Sequence, residues 1–310
     1  MYGIEVLTSR TDCVWSERCW RAMGSDAHLA VGDAPAGVVE WGVEEVERLE
    51  HAWSRFRPDG ELARVHAHPG QWVRVSHAML LALTCAADLY NATGGAFDPT
   101  IRDALEVSGY DRTFAFVDRD NSDALQPAAP VPGFGNIELD TDARAIRLPR
   151  GTRIDLGGVG KGLATDLIAR GIVERGARSA IVGLGGDVRA CGEPPGRGWT
   201  IPVIGPFDEH PAFHQTITTG AIVQSSTRLR SWTRNGRRLH HIIDPTTGEP
   251  ADRGVVAVVA TAAEAWWAEG IAKAVIVAGV SAARRFVAEA RVHAWAFRCD
   301  HSVVELGRSA

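Results

Sequence analysis

Cysteine is scarce and unpatterned in this chain. Cys13, Cys19, Cys85, Cys191 and Cys299 are its five cysteines in 310 residues, an odd number with no C-x-x-C pair. That excludes a disulfide scaffold, a zinc ribbon and an iron–sulfur site of the paired-cysteine kind. Long apolar runs are missing as well. No segment of membrane-spanning length is free of charge, as a spanning helix would require. Residues 1–22 read MYGIEVLTSRTDCVWSERCWRA, with charges throughout and no apolar stretch of signal-peptide length. These absences predict a cytoplasmic protein with no membrane partner. Charge of one sign is also lacking. Lys and Arg number 33 against 38 Asp and Glu, a net charge of -5. So mild a balance argues against a nucleic-acid partner. No linker-like tract and no repeat period interrupts the sequence, so 1–310 reads as one domain with a short extension at each end.

What is present is an ordinary globular composition, 45% hydrophobic and 23% charged, enough to bury an ample core. Apolar spacing predicts helices over Ala36–Trp53, Ser76–Thr93, Lys161–Arg175, Ala262–Ala278 and Ser281–Ala290. On the first, Val39, Val43, Val46, Leu49 and Trp53 form the apolar face. Ser76 is the expected N-cap of the second and Gly94 its stop. Strands are expected at Ile137–Leu139, Ala145–Leu148, Ser179–Val182, Trp199–Ile204, Gln215–Thr218, Val255–Ala260, His293–Phe297 and Val303–Leu306. Asn235-Gly236 between Arg228–Thr233 and Arg237–Ile243 is a strong hairpin signal. Asp111–Gly135, rich in proline and aspartate, reads as a loop. Hairpins mixed with helices, rather than strict alternation, predict an α+β fold.

The densest chemistry lies in Ile154–Gly162, IDLGGVGKG. A buried strand end runs into glycines and then into a helix beginning near Lys161. Gly157, Gly158 and Gly160 let a ligand approach the main chain closely. A helix N-terminus and the Lys161 ammonium add positive charge. One reading is a phosphate or pyrophosphate seat, with Asp155 beside it for a hydroxyl, an amine or a metal. The other is a tight turn with a solvated lysine.

Further segments stand around it in order. Met23–Ser25 reads MGS and Trp53–His66 reads WSRFRPDGELARVH. Gly94–Ile101 reads GGAFDPTI, Gly183–Asp187 reads GLGGD, and His240–Pro250 reads HHIIDPTTGEP. Together these resemble the ApbE family of flavin transferases, from about Met23 to about Gly279. The resemblance implies helices packed on antiparallel sheets, with a flavin cleft between two lobes. It implies that Ala96, Phe97 and Asp98 line the flavin site and that Met23 contacts the flavin. Phe56 stands where relatives commonly carry tyrosine, keeping the stacking face without the hydroxyl. Gly60 and His66 replace a usual serine and asparagine. His241 and Ile243 are carried over as ligand contacts, expected on one strand face with His240 and Ile242 on the other. Gly185 and Gly186 would admit the ligand to the backbone.

The resemblance further implies Mg2+, held by the carbonyl at Gly158 and by an Asp and a Thr on a late helix. Here Glu269 and Lys273 stand at those two positions. Lysine offers no oxygen, and the i, i+4 spacing favours an ion pair. Either Lys273 fills the metal's place or the site is inactive. The activity implied moves FMN from FAD to a threonine of an acceptor protein, with AMP leaving. Lys161 would stabilise the pyrophosphate and Asp155 orient a hydroxyl. Two alternatives stand beside it: an FAD-binding protein or weak FAD pyrophosphatase without transfer, and a non-catalytic partner-binding module. The basic run Arg228, Arg230, Arg234, Arg237 and Arg238 reads as an outward-facing solvated hairpin, or else as a docking strip.

Overall fold

The structure, a computed structural model, describes residues 13–207 and 210–307. The expectation drawn from residues 1–22 therefore lies partly outside the described residues. Its frame is an eight-stranded sheet in the order Trp15–Ala22, Ser25–Gly32, Ser179–Leu184, Asp187–Gly192, Gly220–Ser226, Val255–Ala262, His293–Arg298 and Val303–Leu306. Every neighbouring pair is antiparallel. Six helices accompany it among the described residues: α1 (Val38–Trp53), α2 (Glu61–His66), α3 (His77–Ala92), α4 (Arg102–Val107), α5 (Gly160–Glu174) and α6 (Ala265–Glu289). The fold is α+β, with antiparallel sheets and helices, as the sequence predicts.

Helices α1, α5 and α6 cover one face of the sheet and share its large apolar core. The other face carries a two-stranded ribbon, Trp199–Ile204 with Pro211–Ile217. Trp199, Ile201, Val203 and Ile217 pack there on Ala30, Ile181, Val188, Ile222 and Val259. A third, smaller cluster joins Leu105 and Tyr110 to Trp232, Leu239 and Ile243. It unites α4 and the loop after it with the Ser231–Arg234/Arg237–His240 hairpin, and forms the second lobe.

Local chemistry explains several boundaries. Ser76 caps α3 by accepting the Met79 N–H at 3.1 Å. Asn235 and Gly236 have φ of 48° and 72°, the left-handed pair that a two-residue hairpin needs. The two helices expected at the C-terminal end are present as the two halves of α6, separated at Gly279, whose φ of 78° is non-helical. The buried stripe of α1 is Val38, Gly42, Val46, Leu49, Ala52 and Trp53, not Val39 and Val43. Gly42 faces inward because its lack of a side chain lets α1 approach Leu29, which a Cβ would meet at 3.0 Å.

Four strands of the large sheet escape the sequence reading: Trp15–Ala22, Ser25–Gly32, Asp187–Gly192 and Gly220–Ser226. Trp15–Ala22 is an edge strand with mostly exposed, charged residues. Its turn to the next strand is Met23-Gly24, both at positive φ, without the usual asparagine signal. Asp187 and Arg189 lie in a strand yet are buried, which breaks the apolar pattern.

Candidate functional site in the cleft between the lobes

The glycine-rich segment sits where the sequence predicts, between the Pro99 region and α5. Asp155 N–H donates to the Pro99 carbonyl at 2.7 Å, which ties this segment to Gly94–Ile101. Asp98 is buried and extended before Pro99, and accepts the N–H and hydroxyl of Thr100 at 2.8 and 2.7 Å. Burial raises its pKa above the usual aspartate value. Asp155 is engaged on both sides. It accepts the Gly157 N–H at 2.6 Å and pairs with Arg55 at 2.8 Å. Arg55 in turn lies over the Phe56 and Tyr110 rings, 4.3 and 4.6 Å from their centroids. Asp155 thus braces the glycine turn and the aromatic wall in one contact.

Lys161 is not solvated. Its Nζ lies 2.6 Å from Asp187 Oδ2 and 2.5 Å from Glu269 Oε1. Burial opposes the ammonium, but the two carboxylates outweigh it and hold its pKa above the usual lysine range. Glu269 also accepts the Gly162 N–H at 2.9 Å, so one donor of the α5 N-terminus is already taken by protein. The Lys273 ammonium lies 2.8 Å from the same Glu269 Oε1. Asp187, Lys161, Glu269 and Lys273 therefore form one chain of ion pairs at the junction of α5 and α6.

Two adjoining cavities, of about 300 and 330 Å³, open over this network. The first is lined by Met23, Phe56, Ala96, Phe97, Asp98, Asp155, Gly158 and Ile243. The second is lined by Gly183, Gly185, Gly186 and Gln224. Lys161, Lys273, Arg230 and His241 line both. The structure thus brings all the sequence-predicted ligand residues onto one continuous surface, with Glu269 beneath it. Gly185 and Gly186 are required by the protein's own packing and backbone. A Cβ on Gly186 would meet the Gln224 carbonyl at 2.7 Å, and Gly185 has φ of 64°.

Two details depart from the sequence reading. Arg230 is not an outward charge of a solvated hairpin. Its guanidinium turns inward to Ser25 Oγ at 2.9 Å and the Gly24 carbonyl at 3.2 Å. Arg237 does face outward and pairs with Glu249. The strict alternation expected for His241 and Ile243 fails, because the strand ends at His240 and Ile242 also lines the cavity. His66, in the place of a usual asparagine, accepts the Ile154 N–H at 3.0 Å and so supports the strand end before the glycines. Burial, with Arg230 and Lys273 nearby, pushes His241 well below the usual histidine value, so its ring is neutral at pH 7. Arg55, Tyr110, Arg230 and Asp187 are the contributors sequence reasoning missed. Asp187 and Arg55 carried a signal, as the last residue of GLGGD and as part of WSRFRPDGELARVH.

The residues at the expected Mg2+ position do not fit a divalent cation. Mg2+ requires oxygen ligands in near-octahedral geometry. Lys273 supplies none, and both Glu269 oxygens already accept hydrogen bonds, from Lys161, Lys273 and the Gly162 amide.

A sequence profile of the ApbE family matches residues 23–296. The chain belongs to the ApbE family. A protein of Treponema pallidum named FAD:protein FMN transferase is 29% identical over 269 residues, covering 79% of this chain and 73% of its own. A protein of the same name from Vibrio cholerae is 26% identical and covers 76% and 71%. The crystal structure of the ApbE protein of Thermotoga maritima superposes with a TM-score of 0.85, at 25% identity, over 94% of this chain and 97% of that one. The Vibrio cholerae flavin transferase ApbE shares the fold, with a TM-score of 0.78. Among the described residues no helix is long and apolar enough to cross a membrane.

Proposed function

We propose that this chain is an FAD:protein FMN transferase, a single transferase domain acting on FAD and on an acceptor protein. One observation carries the reading: two cavities meet over a band of Lys161, Lys273, Arg230 and His241. A dinucleotide has the same plan, two planar groups joined by a diphosphate. The first cavity, with Phe56, Phe97, Tyr110 and Ile243, suits the flavin ring. The glycine-walled second cavity suits the adenosine half. The cationic band suits the diphosphate between them. In the reaction, a threonine Oγ of the acceptor attacks the phosphorus of the FMN half. The bond to the AMP oxygen breaks, AMP leaves, and the hydroxyl proton passes to a base. Catalysis of this kind is largely positioning and neutralisation of phosphate charge. Arg230 and the two lysines supply that charge.

The test is to incubate the protein with FAD and a threonine-bearing acceptor, then look for flavin fluorescence on the acceptor band of a denaturing gel. AMP should appear in equal amount. AMP without labelled acceptor would favour a second reading, FAD hydrolysis without transfer. The lysine that stands at a metal-ligand position motivates that reading. The acceptor and the compartment are part of the proposal, with the cytoplasm as the expected site of action.

A further inference from the structure

Lys273 sits where the two cavities join, on α6 one turn beyond Glu269. Its side chain runs past the glycine turn, since a Cβ on Gly158 would lie 3.7 Å from Lys273 Cδ. An ammonium has three donors and no acceptor. Glu269 Oε1, at 2.8 Å, takes one of them. Two N–H groups remain beside the cavities. Glu269 itself is fully buried. Its Oε1 accepts from both lysines and its Oε2 from the Gly162 amide. A divalent cation on that carboxylate would have two ammonium groups against the same oxygen and no further protein oxygen from position 273. The arrangement is complete without a metal.

We propose that the Lys273 ammonium is a built-in replacement for the divalent cation, so that this protein holds the FAD diphosphate without Mg2+. The inference rests on the transferase reading above and deepens it. Glu269 keeps Lys273 aimed at the join of the two cavities and partly offsets the burial that lowers its pKa, while Lys161 anchors Glu269 from the other side. Asp187 and Glu269 together balance the two lysines, and Arg230 contributes the surplus positive charge for the diphosphate. A single positive charge polarises a phosphorus less than a doubly charged ion does. FAD binding should therefore be metal-independent, and FMN transfer slow but equally metal-independent.

The experiment is a titration of the intact protein with FAD, followed by flavin fluorescence, in EDTA and in millimolar Mg2+. The affinities should agree within about twofold. Removing the ammonium in Lys273→Met should weaken FAD binding in EDTA by roughly tenfold to a hundredfold, the loss expected for a charge-assisted hydrogen bond. Lys273→Arg should retain most of the affinity. A wild-type protein whose FAD affinity falls tenfold or more on chelation would overturn the proposal, and this arm needs no variant to fold. A folded Lys273→Met with unchanged affinity in EDTA would overturn it as well. Absence of FAD binding in both buffers would instead bring down the transferase reading itself.

Discussion

The backbone N–H of Gly162 donates to the Glu269 carboxylate at 2.9 Å, a contact between residues 107 positions apart. It ties the start of α5 to the first turns of α6. It also places the glycine-rich motif and the late-helix pair in one electrostatic unit.

Lys161→Ala should do two things at once. It removes a cation from the band where the cavities meet, which should weaken FAD binding by about tenfold to a hundredfold. It also leaves Asp187 and Glu269 buried with one cation fewer between them. Breaking a buried ion pair on one side costs about 3–5 kcal/mol. Chemical denaturation with and without FAD separates the two effects. An unchanged unfolding midpoint would contradict the network described here.

Arg230→Ala should weaken FAD binding by roughly tenfold or more, because its guanidinium lines both cavities. The Lys161–Glu269–Lys273 contacts do not include it, so stability should change far less than in Lys161→Ala. Equal affinities for the variant and the parent protein, measured by isothermal titration, would return Arg230 to the solvated face of the hairpin.

Gly162→Ala should destabilise the fold. A Cβ there would lie 2.7 Å from the backbone of Ala265 and Trp266. Backbone cannot swing aside as a side chain does, so α5 and α6 must separate. Overpacking of this kind costs roughly 1–3 kcal/mol. The Gly162–Glu269 hydrogen bond should lengthen with it. Thermal unfolding that matches the parent protein would show that the helices can shift freely at this point.

The stability contributed by His66 and His240 should be lost on mild acidification, against an opposing gain from Asp166 and Asp187, whose carboxyls burial raises to about 7 and about 6. Burial, with Arg102 and Arg153 nearby, depresses His66 from 6.5 to about 3. Burial likewise depresses His240 to about 4. Below pH 6.5 the unfolded chain takes up these protons while the folded chain does not. Their contribution is therefore present in full above pH 6.5 and is lost as pH falls towards the folded values. The slope is up to roughly 1.4 kcal/mol per pH unit for each histidine. Urea midpoints between pH 7 and pH 5 measure it. His66→Asn should take its share out of the slope. An identical slope in that variant would remove His66 from the account.

Much of the site is legible in the sequence because its parts are short and local. Gly157, Gly158 and Gly160 mark backbone that must stay bare. Asp98 before Pro99 marks an extended carboxylate. Asn235-Gly236 marks the hairpin that carries Arg230 and leads to His241. These signals need only neighbours in the chain. Tyr110 carries no such signal, and the segment that holds Arg55 does not name its partner. Arg55 meets Asp155 one hundred residues away, and Tyr110 lies in a loop that reads as featureless. Arg230 was misread for a related reason. Side-chain direction near a hairpin end follows from what lies opposite, here Gly24 and Ser25 of the N-terminal turn.

By itself the sequence determined the α+β class, most of the long helices, the glycine turn and the family to which the chain belongs. Each of these is written in apolar period, in residues with special backbone freedom, or in motif order. Only the tertiary structure decided that Lys161 is paired rather than solvated. It alone decided that Glu269, whose i, i+4 pairing with Lys273 the sequence already predicts, also holds Lys161 and the Gly162 amide of α5, and that Arg230 points inward. Those outcomes depend on Coulomb energy and burial among groups far apart in the chain. Such energies act over a few ångströms of space, and spacing along the sequence carries no record of that distance.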